Sequence, residues 1–291
     1  MTLILLPKRI NLVSIDDITR QTIGDNLKPL HRTIEYGFEN VDFIDSTGIT
    51  VFANLIEWCA THGVNQSFLI PEKTNDAIKF LDDSLFFKKY TTKKIYNHST
   101  PRETTVPLQM VKHAESHAWI ENNCVDWLSR RLHISRKSLV ELSVCLKEIF
   151  NNIKDHSAVD TGCIFIQHHP KLNKVKISIS DFGIGIPSNV RRVIDIESDG
   201  KAILKAMEEG FTTRTTNRNR GVGLHLLQQT VVNNGGTLTI RSGKGKVFSS
   251  RDGSRDYSSQ NAHHYPGTAL EIELYTNHFD ITLADEEDFS W

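Results

Sequence analysis

The chain has 291 residues, enough for one or two domains, and its 38% hydrophobic and 24% charged content is that of an ordinary soluble globular protein. A formal net charge of −1 supplies no global basic field, which argues against nucleic acid or an anionic membrane as a partner. Four cysteines, at 59, 124, 145 and 163, stand 18 or more residues apart without a C-x-x-C, which argues against a zinc ribbon or thioredoxin-type site and fits reduced thiols in the cytoplasm.

The opening MTLILLPKR has an apolar run of only four residues before Pro7, too short for a signal peptide or a membrane span. Residues 1–95 read as a βα unit. Thr33 to Phe43 carries strand-type residues, Phe52, Leu55, Ile56 and Cys59 recur at helical spacing, Ser67 to Ile70 is a short strand, and Asn75 to Tyr90 returns to helical spacing. Strands alternating with helices predict a sheet covered by helices. Asp45, Ser46 and Thr47 are cap-type residues just before the first strong helix. Ser46 therefore sits near a helix N-terminus, where free N–H groups and the macrodipole favour an anion, although a plain helix cap accounts for the same residues.

Residues 96–110 are polar, contain Pro101 and Pro107 and lack periodicity, which predicts a linker and a domain boundary. His113 and His117 are four apart, but H-A-E-S-H lacks the H-E-x-x-H order of a zinc-protease helix and reads as a solvated helical face. Residues 135–157 form the next strong element. Ser135 can cap it, and Leu139, Leu142, Leu146, Ile149 and Ile153 make an apolar stripe. Glu148, Asn152 and Asp155 follow at i, i+4 and i+7, close to that stripe. An acid and an amide there are costly if buried alone, and a metal with a phosphate would supply their partners.

Val175, Ile177 and Ile179 alternate with Lys176, Ser178 and Ser180, the pattern of a half-buried strand, and Asp181 stands at its end. Gly183 and Gly185 allow a tight turn and close approach of a ligand, and Pro187 fixes φ at the next element. Farther on, Arg214, Arg218 and Arg220 are interleaved with threonines and with Asn217 and Asn219, and lead into Gly221 and Gly223 and an apolar helix. A cationic loop, two glycines and a helix N-terminus suit an anionic phosphate chain. Residues 242–265 read as an exposed hairpin or disordered loop, Ala269 to Leu274 as a last strand introduced by Pro266-Gly267-Thr268, and 277–291 as an acidic tail. No G-x-x-x-x-G-K-[ST] occurs, so a Walker loop is excluded.

Two resemblances organise these features. FIDSTG resembles the D-S-[ST]-G loop of STAS domains, the fold of anti-anti-sigma factors, and implies Ser46 as the phosphoacceptor. EIFNNIKDH, DFGIGIP, GFTTR with RGVGL, and PGTALEIEL, in that order, resemble the ATP-binding domain of the GHKL superfamily, which includes anti-sigma-factor kinases, histidine kinases, gyrase B and Hsp90. Ile153 stands where that family usually has alanine. The resemblance implies an α+β fold, a two-layer α/β sandwich of Bergerat type over residues 111–276, preceded by a STAS-like domain over 1–95. It implies ATP and Mg²⁺ as cofactors, with Glu148 orienting or activating the attacking water or hydroxyl and Asn152 holding Mg²⁺. Asp181 would accept from the adenine amino group, and Gly183 and Gly185 would line the base. Gly221 and Gly223 would donate N–H groups to the phosphates, Arg214, Asn219 and Arg220 would belong to the lid, and Thr268 would support Asp181.

Three functions are compatible with this set: a regulatory serine/threonine kinase or ATPase of the partner-switching type, an ATP-gated interaction module, and a sensor histidine kinase. The last lacks a histidine followed by the acidic residue and proline of a dimerisation helix. The expected partner is a protein, of STAS or sigma/anti-sigma type, and a homodimer is the expectation from resemblance.

Overall fold

In the computed structural model, which describes residues 1–213 and 223–279, residues 1–91 form a parallel βα unit. Its elements are β1 (Thr2–Leu5), β2 (Arg9–Ile10), α1 (Ile15–Thr22), β3 (Thr33–Gly37), β4 (Phe43–Ile44), α2 (Ser46–Thr61), β5 (Asn65–Leu69), α3 (Asp76–Asp83) and α4 (Phe86–Thr91). Strands pair in parallel in the order β1-β3-β5, with a separate β2-β4 pair. Parallel neighbours need crossover connections, and helices provide them here. The single strand expected over 33–43 is split into β3 and β4. Tyr36, Phe38, Phe52, Phe86 and Phe87 interlock in the core, with Tyr36 edge-on to Phe52 at 5.2 Å and Phe52 stacked on Phe86 at 5.6 Å.

The second unit consists of β6 (Thr105–Lys112), α5 (His113–Trp119), a π-helical turn (Ile120–Val125), α6 (Asp126–Leu132), α7 (Val140–His156), β7 (Thr161–His169), β8 (Lys174–Asp181), α8 (Ile186–Val190), α9 (Asp199–Ala206), α10 (Gly223–Asn233), β9 (Thr237–Gly243), β10 (Gly245–Ser250), β11 (Gly253–Asp256) and β12 (Tyr265–Tyr275). One antiparallel sheet runs β11-β10-β9-β12-β8-β7-β6, with helices on one face, an α+β arrangement. Ser135 caps a 3₁₀ turn over Arg136–Leu139 that leads into α7.

Two expectations about the strands change. The linker ends earlier than residue 110, because β6 pairs with β7 and forms an edge of the sheet. Residues 242–265 are largely ordered: Val247 of β10 is fully buried and pairs with Ile240 of β9. Ser242, Gly243, Gly245, Ser249, Ser250, Gly253 and Ser254 are strand residues, and 257–264 is the connection to β12.

The sheet has two covered faces. Ile164, Ile177, Ile179, Ile240, Leu270 and Ile272 form one core with α7 and α10. Cys163, Phe165, Tyr265 and Ala269 point to the other face and join the core of the first unit. The half-buried strand expected at β8 is therefore buried on both sides, and Ser178 and Ser180 are as inaccessible as Ile177. Helix α2 supplies the cover, and along it only Glu57, Ala60 and Thr61 escape burial. A helix buried all round lies between two layers. Among the described residues, no helix is long and apolar enough to cross a membrane.

Gly48, in the first turn of α2, rests on β2: a Cβ there would lie 2.1 Å from the Ile10 carbonyl oxygen. Backbone cannot yield as a side chain does. Gly48→Ala should cost about 1–3 kcal/mol, read as a lowered midpoint in denaturant unfolding, and an unchanged midpoint would refute this packing.

Candidate functional site

A cavity of about 370 Å³ lies between α7, α8, α10 and the sheet, floored by Ile179 of β8 and Leu270 of β12. Asp181 closes its deep end. As the last residue of β8, opposite Thr268 of β12, its side chain is 5% exposed and accepts from the Gly183 N–H at 2.8 Å and from the Thr268 backbone N–H. Burial outweighs both donors and pushes the carboxyl up to about 7. A carboxylate has acceptor sites for further donors, and the cavity is where a donor can reach it.

The turn after Asp181 uses its glycines differently from expectation. Gly185, at φ +78°, lines the cavity, and a Cβ there would meet the Ser242 hydroxyl at 2.7 Å. Gly183 does not line it. Gly183 abuts the end of α7, where a Cβ would lie 2.1 Å from the Ser157 carbonyl oxygen, and serves the site through its bond to Asp181. Ser242 and Asn189 were not legible as site residues. The Ser242 hydroxyl accepts from the Ile186 N–H and donates to the Gly267 carbonyl, while the Asn189 amide donates to the carbonyls of His156 and Gly185. They fasten the glycine turn to β9, β12 and α7. Strand pairing brings Ser242 there, and α8 carries Asn189 to within reach of Gly185, four residues before it.

Helix α7 forms the opposite wall. At about 100° per residue its cavity face runs from Glu148 through Asn152 and His156 to Ile149 and Ile153. Asp155 falls past the Glu148 edge and does not line the cavity; His156 takes the place expected of it, with Nδ1 3.2 Å from the Thr213 hydroxyl. Glu148 Oε1 accepts from the Asn151 amide at 3.1 Å. The Asn151 oxygen in turn lies 3.0 Å from His113 Nε2 and 3.3 Å from His117 Nε2, so the histidine pair faces α7 and not only solvent. Gly223, the first residue of α10, stands against this wall, its Cβ position 3.1 Å from the Asn152 amide nitrogen and 3.3 Å from Glu148 Cβ. The N-terminus of α10 thus faces the glutamate and the asparagine, and Thr268 lines the cavity beside Asp181. Arg214, Asn219, Arg220 and Gly221 lie outside the described residues.

Among the described residues, no group of three or more His, Cys, Asp or Glu side chains could hold a metal. The Asn152 amide oxygen and the Glu148 carboxylate are nevertheless the hard donors that suit Mg²⁺, an ion held by one or two protein ligands together with phosphates and water.

Ser46 is elsewhere. Asp45, not Ser46, caps α2, accepting from the Gly48 N–H at 2.7 Å. Ser46 is fully buried, and its hydroxyl has no hydrogen-bond partner among the described residues. Helix α2 covers the sheet face opposite the cavity, so the hydroxyl cannot meet a group bound there while the units are docked.

Residues 138–253 match the family model described as "Histidine kinase-, DNA gyrase B-, and HSP90-like ATPase". That segment is under half of the chain; it contains Glu148, Asn152, Asp181 and Gly223 and stops short of Thr268. No curated protein matches the sequence. Among solved structures, the B-subunit of the DNA gyrase from Myxococcus xanthus is similar at 9% identity and a TM-score of 0.27, over 58% of this chain and 46% of that one. The chain therefore spans less than half of the gyrase chain it matches.

Asp181 should leave a signature in the ligand-free protein. Its folded value of about 7 exceeds the ~3.9 of an unfolded aspartate, so the folded state holds the extra proton between them and stability falls as pH rises through that window. Thermal unfolding from pH 4 to 8 should show this decline in the wild type and a flatter profile in Asp181→Asn; parallel profiles would remove the burial argument. Ser46→Ala should be neutral or stabilising by up to about 1 kcal/mol, because it deletes a buried hydroxyl without a partner, and a loss above that in chemical unfolding would contradict its isolation.

Proposed function

We infer that the cavity binds Mg-ATP, and that the chain is an ATP-dependent regulatory protein that hydrolyses the nucleotide or transfers its phosphate. The observation that carries this reading is the placing of a buried carboxyl group at one end of an apolar slot and a glutamate, an asparagine and a helix N-terminus at the other. Asp181 accepts from the exocyclic amino group of adenine, whose faces rest on the apolar floor. Asn152 and Glu148 take the metal and phosphate end, where the first N–H groups of α10 favour negative charge. Mg²⁺ supplies charge neutralisation between phosphates. Glu148, held in orientation by Asn151, accepts the proton of the attacking water or hydroxyl. Arg214, Asn219, Arg220 and Gly221 belong to the segment that contacts the phosphates.

The match over residues 138–253 supports the same class. Partner switching rests on the STAS-like reading of residues 1–95, with a STAS or sigma/anti-sigma type protein as partner and a homodimer as the assembly. Transfer to Ser46 within one docked chain is disfavoured, because its hydroxyl is sealed on the far face of the sheet. That burial favours, as a second reading, a nucleotide-gated module in which the first unit is a docking platform.

Calorimetric titration with ATP and Mg²⁺, followed by phosphate release and intact-mass analysis of the same sample, separates these readings. Binding with released phosphate or a covalent adduct supports an enzyme; binding with neither supports the gated module; the absence of binding sinks both. Glu148→Ala should bind ATP within about threefold of wild type while losing about 10²-fold or more in turnover, the usual share of a positioned base, and normal turnover would take Glu148 out of that role.

A further inference from the structure

Two of the polar contacts between the first unit and the sheet flank Asp181. Asn54 of α2 is fully buried, and its amide donates to the Tyr265 hydroxyl at 2.8 Å and to the Pro266 carbonyl at 3.2 Å. Tyr265 is also fully buried, and the Ser180 hydroxyl donates to the Thr50 carbonyl at 3.3 Å. The NH₂ group of Asn54 can only donate, so the Tyr265 oxygen accepts from it, and the Thr50 carbonyl can only accept from Ser180. The two contacts start from positions four apart on α2 and hold the residue before Asp181 on β8 and the start of β12.

The two strand segments held in this way are the two that position the Asp181 carboxyl. Ser180 precedes it. Pro266 leads into Gly267, whose Cβ position would lie 2.1 Å from the Asp181 carbonyl oxygen, and then into Thr268, whose N–H bonds the carboxyl. None of Asn54, Thr50 or Tyr265 lines the cavity. A tyrosine hydroxyl and an asparagine amide set between α2 and a sheet would cost free energy if left unpaired, and a plain apolar contact would have served packing as well.

We propose that Asn54 and Tyr265 are positioning residues for the base-recognition carboxylate, so that the first unit is a working part of the nucleotide site and not a separate domain attached to it. This inference rests on the reading of Asp181 as the adenine acceptor. It makes the docking of α2 and the binding of an adenine nucleotide mutually supporting, because each favours the same placement of Ser180, Asp181 and Thr268.

The test uses the full chain and compares ATP with inosine triphosphate, which has a carbonyl where adenine has its amino group and so presents an acceptor in place of a donor at that position. In the wild type, calorimetry should show ATP bound more tightly. Tyr265→Phe removes one hydroxyl and keeps the ring; it should weaken ATP about fivefold or more, leave inosine triphosphate within twofold, and so narrow the discrimination, the loss expected when one buried hydrogen bond is removed. Asn54→Ser, smaller and still polar, should act in the same direction and serves if Tyr265→Phe does not fold. Unchanged discrimination in a folded variant overturns the proposal, and so does an equal loss for both nucleotides, which is what general loosening of the fold would give. Failure of the wild type to prefer ATP is a different result, and it removes the adenine reading itself.

Discussion

Helix α2 has no exposed face to spare, and that constraint shapes both units. Its apolar side must be covered by β1, β3 and β5, and its other side by β7, β8 and β12. The large sheet meets it with short side chains at the closest points: Ser178, Ser180 and Ala269 leave room for a helix where leucines would hold it away. Polar residues of the helix find partners there, although the Ser46 hydroxyl and the Asn54 amide oxygen have none among the described residues. Thr47 bonds Ser178 at 2.9 Å and also Glu271, and Asn54 bonds Tyr265.

Charge at this junction serves specificity more than stability. Lys176 lies among Asp45, Glu271 and Glu273, and Arg241 of β9 pairs with Asp16 of α1 while donating to the His263 carbonyl at 2.7 Å. Desolvation opposes such pairs: burial drives Asp16 and Asp45 upward and Arg241 downward against the pull of their partners. Replacement by well-packed apolar residues would be near neutral in energy. What the pairs provide is a penalty for any other docking, since a shift of one residue along β8 would strand a buried charge.

Local spacing carried most of the cavity. Glu148 and Asn152 share a helical face because they are four apart, and Asp181, Gly185 and Thr268 follow from a strand end, a tight turn and the strand that answers it. Where the geometry differs from the spacing, tertiary packing is the reason. The i, i+4, i+7 spacing aligns Asp155 with Glu148 and Asn152, but a small rotation past the edge removes it from the wall that His156 completes. The spacing suggests a ligand against Gly183, whereas the end of α7 is what demands its missing Cβ. Ser242, Tyr265 and Asn54 carry no local signal, since their partners lie tens to hundreds of residues away, and Asn189 joins a near partner, Gly185, to a distant one, His156. β8 read as half-solvated because alternation reports only which face is polar. It cannot report that a second unit covers that face.

This cover bears on the proposed regulatory role. A freely exchanging partner must leave its binding surface readily, but to release α2 the protein would expose Ile49, Phe52, Ala53 and Ile56 together with Phe165 and Tyr265, and would leave Lys176 and Arg241 to find new partners. At about 25 cal/mol per Å² of apolar surface, several such side chains make undocking an infrequent event for the isolated chain. Regulation through the first unit is then more economical if it acts while docked, by small changes in how firmly the helix holds the strands around Asp181, than by departure. Ser46, facing inward at the head of that helix, is placed where a phosphate could be accommodated only after the junction had opened.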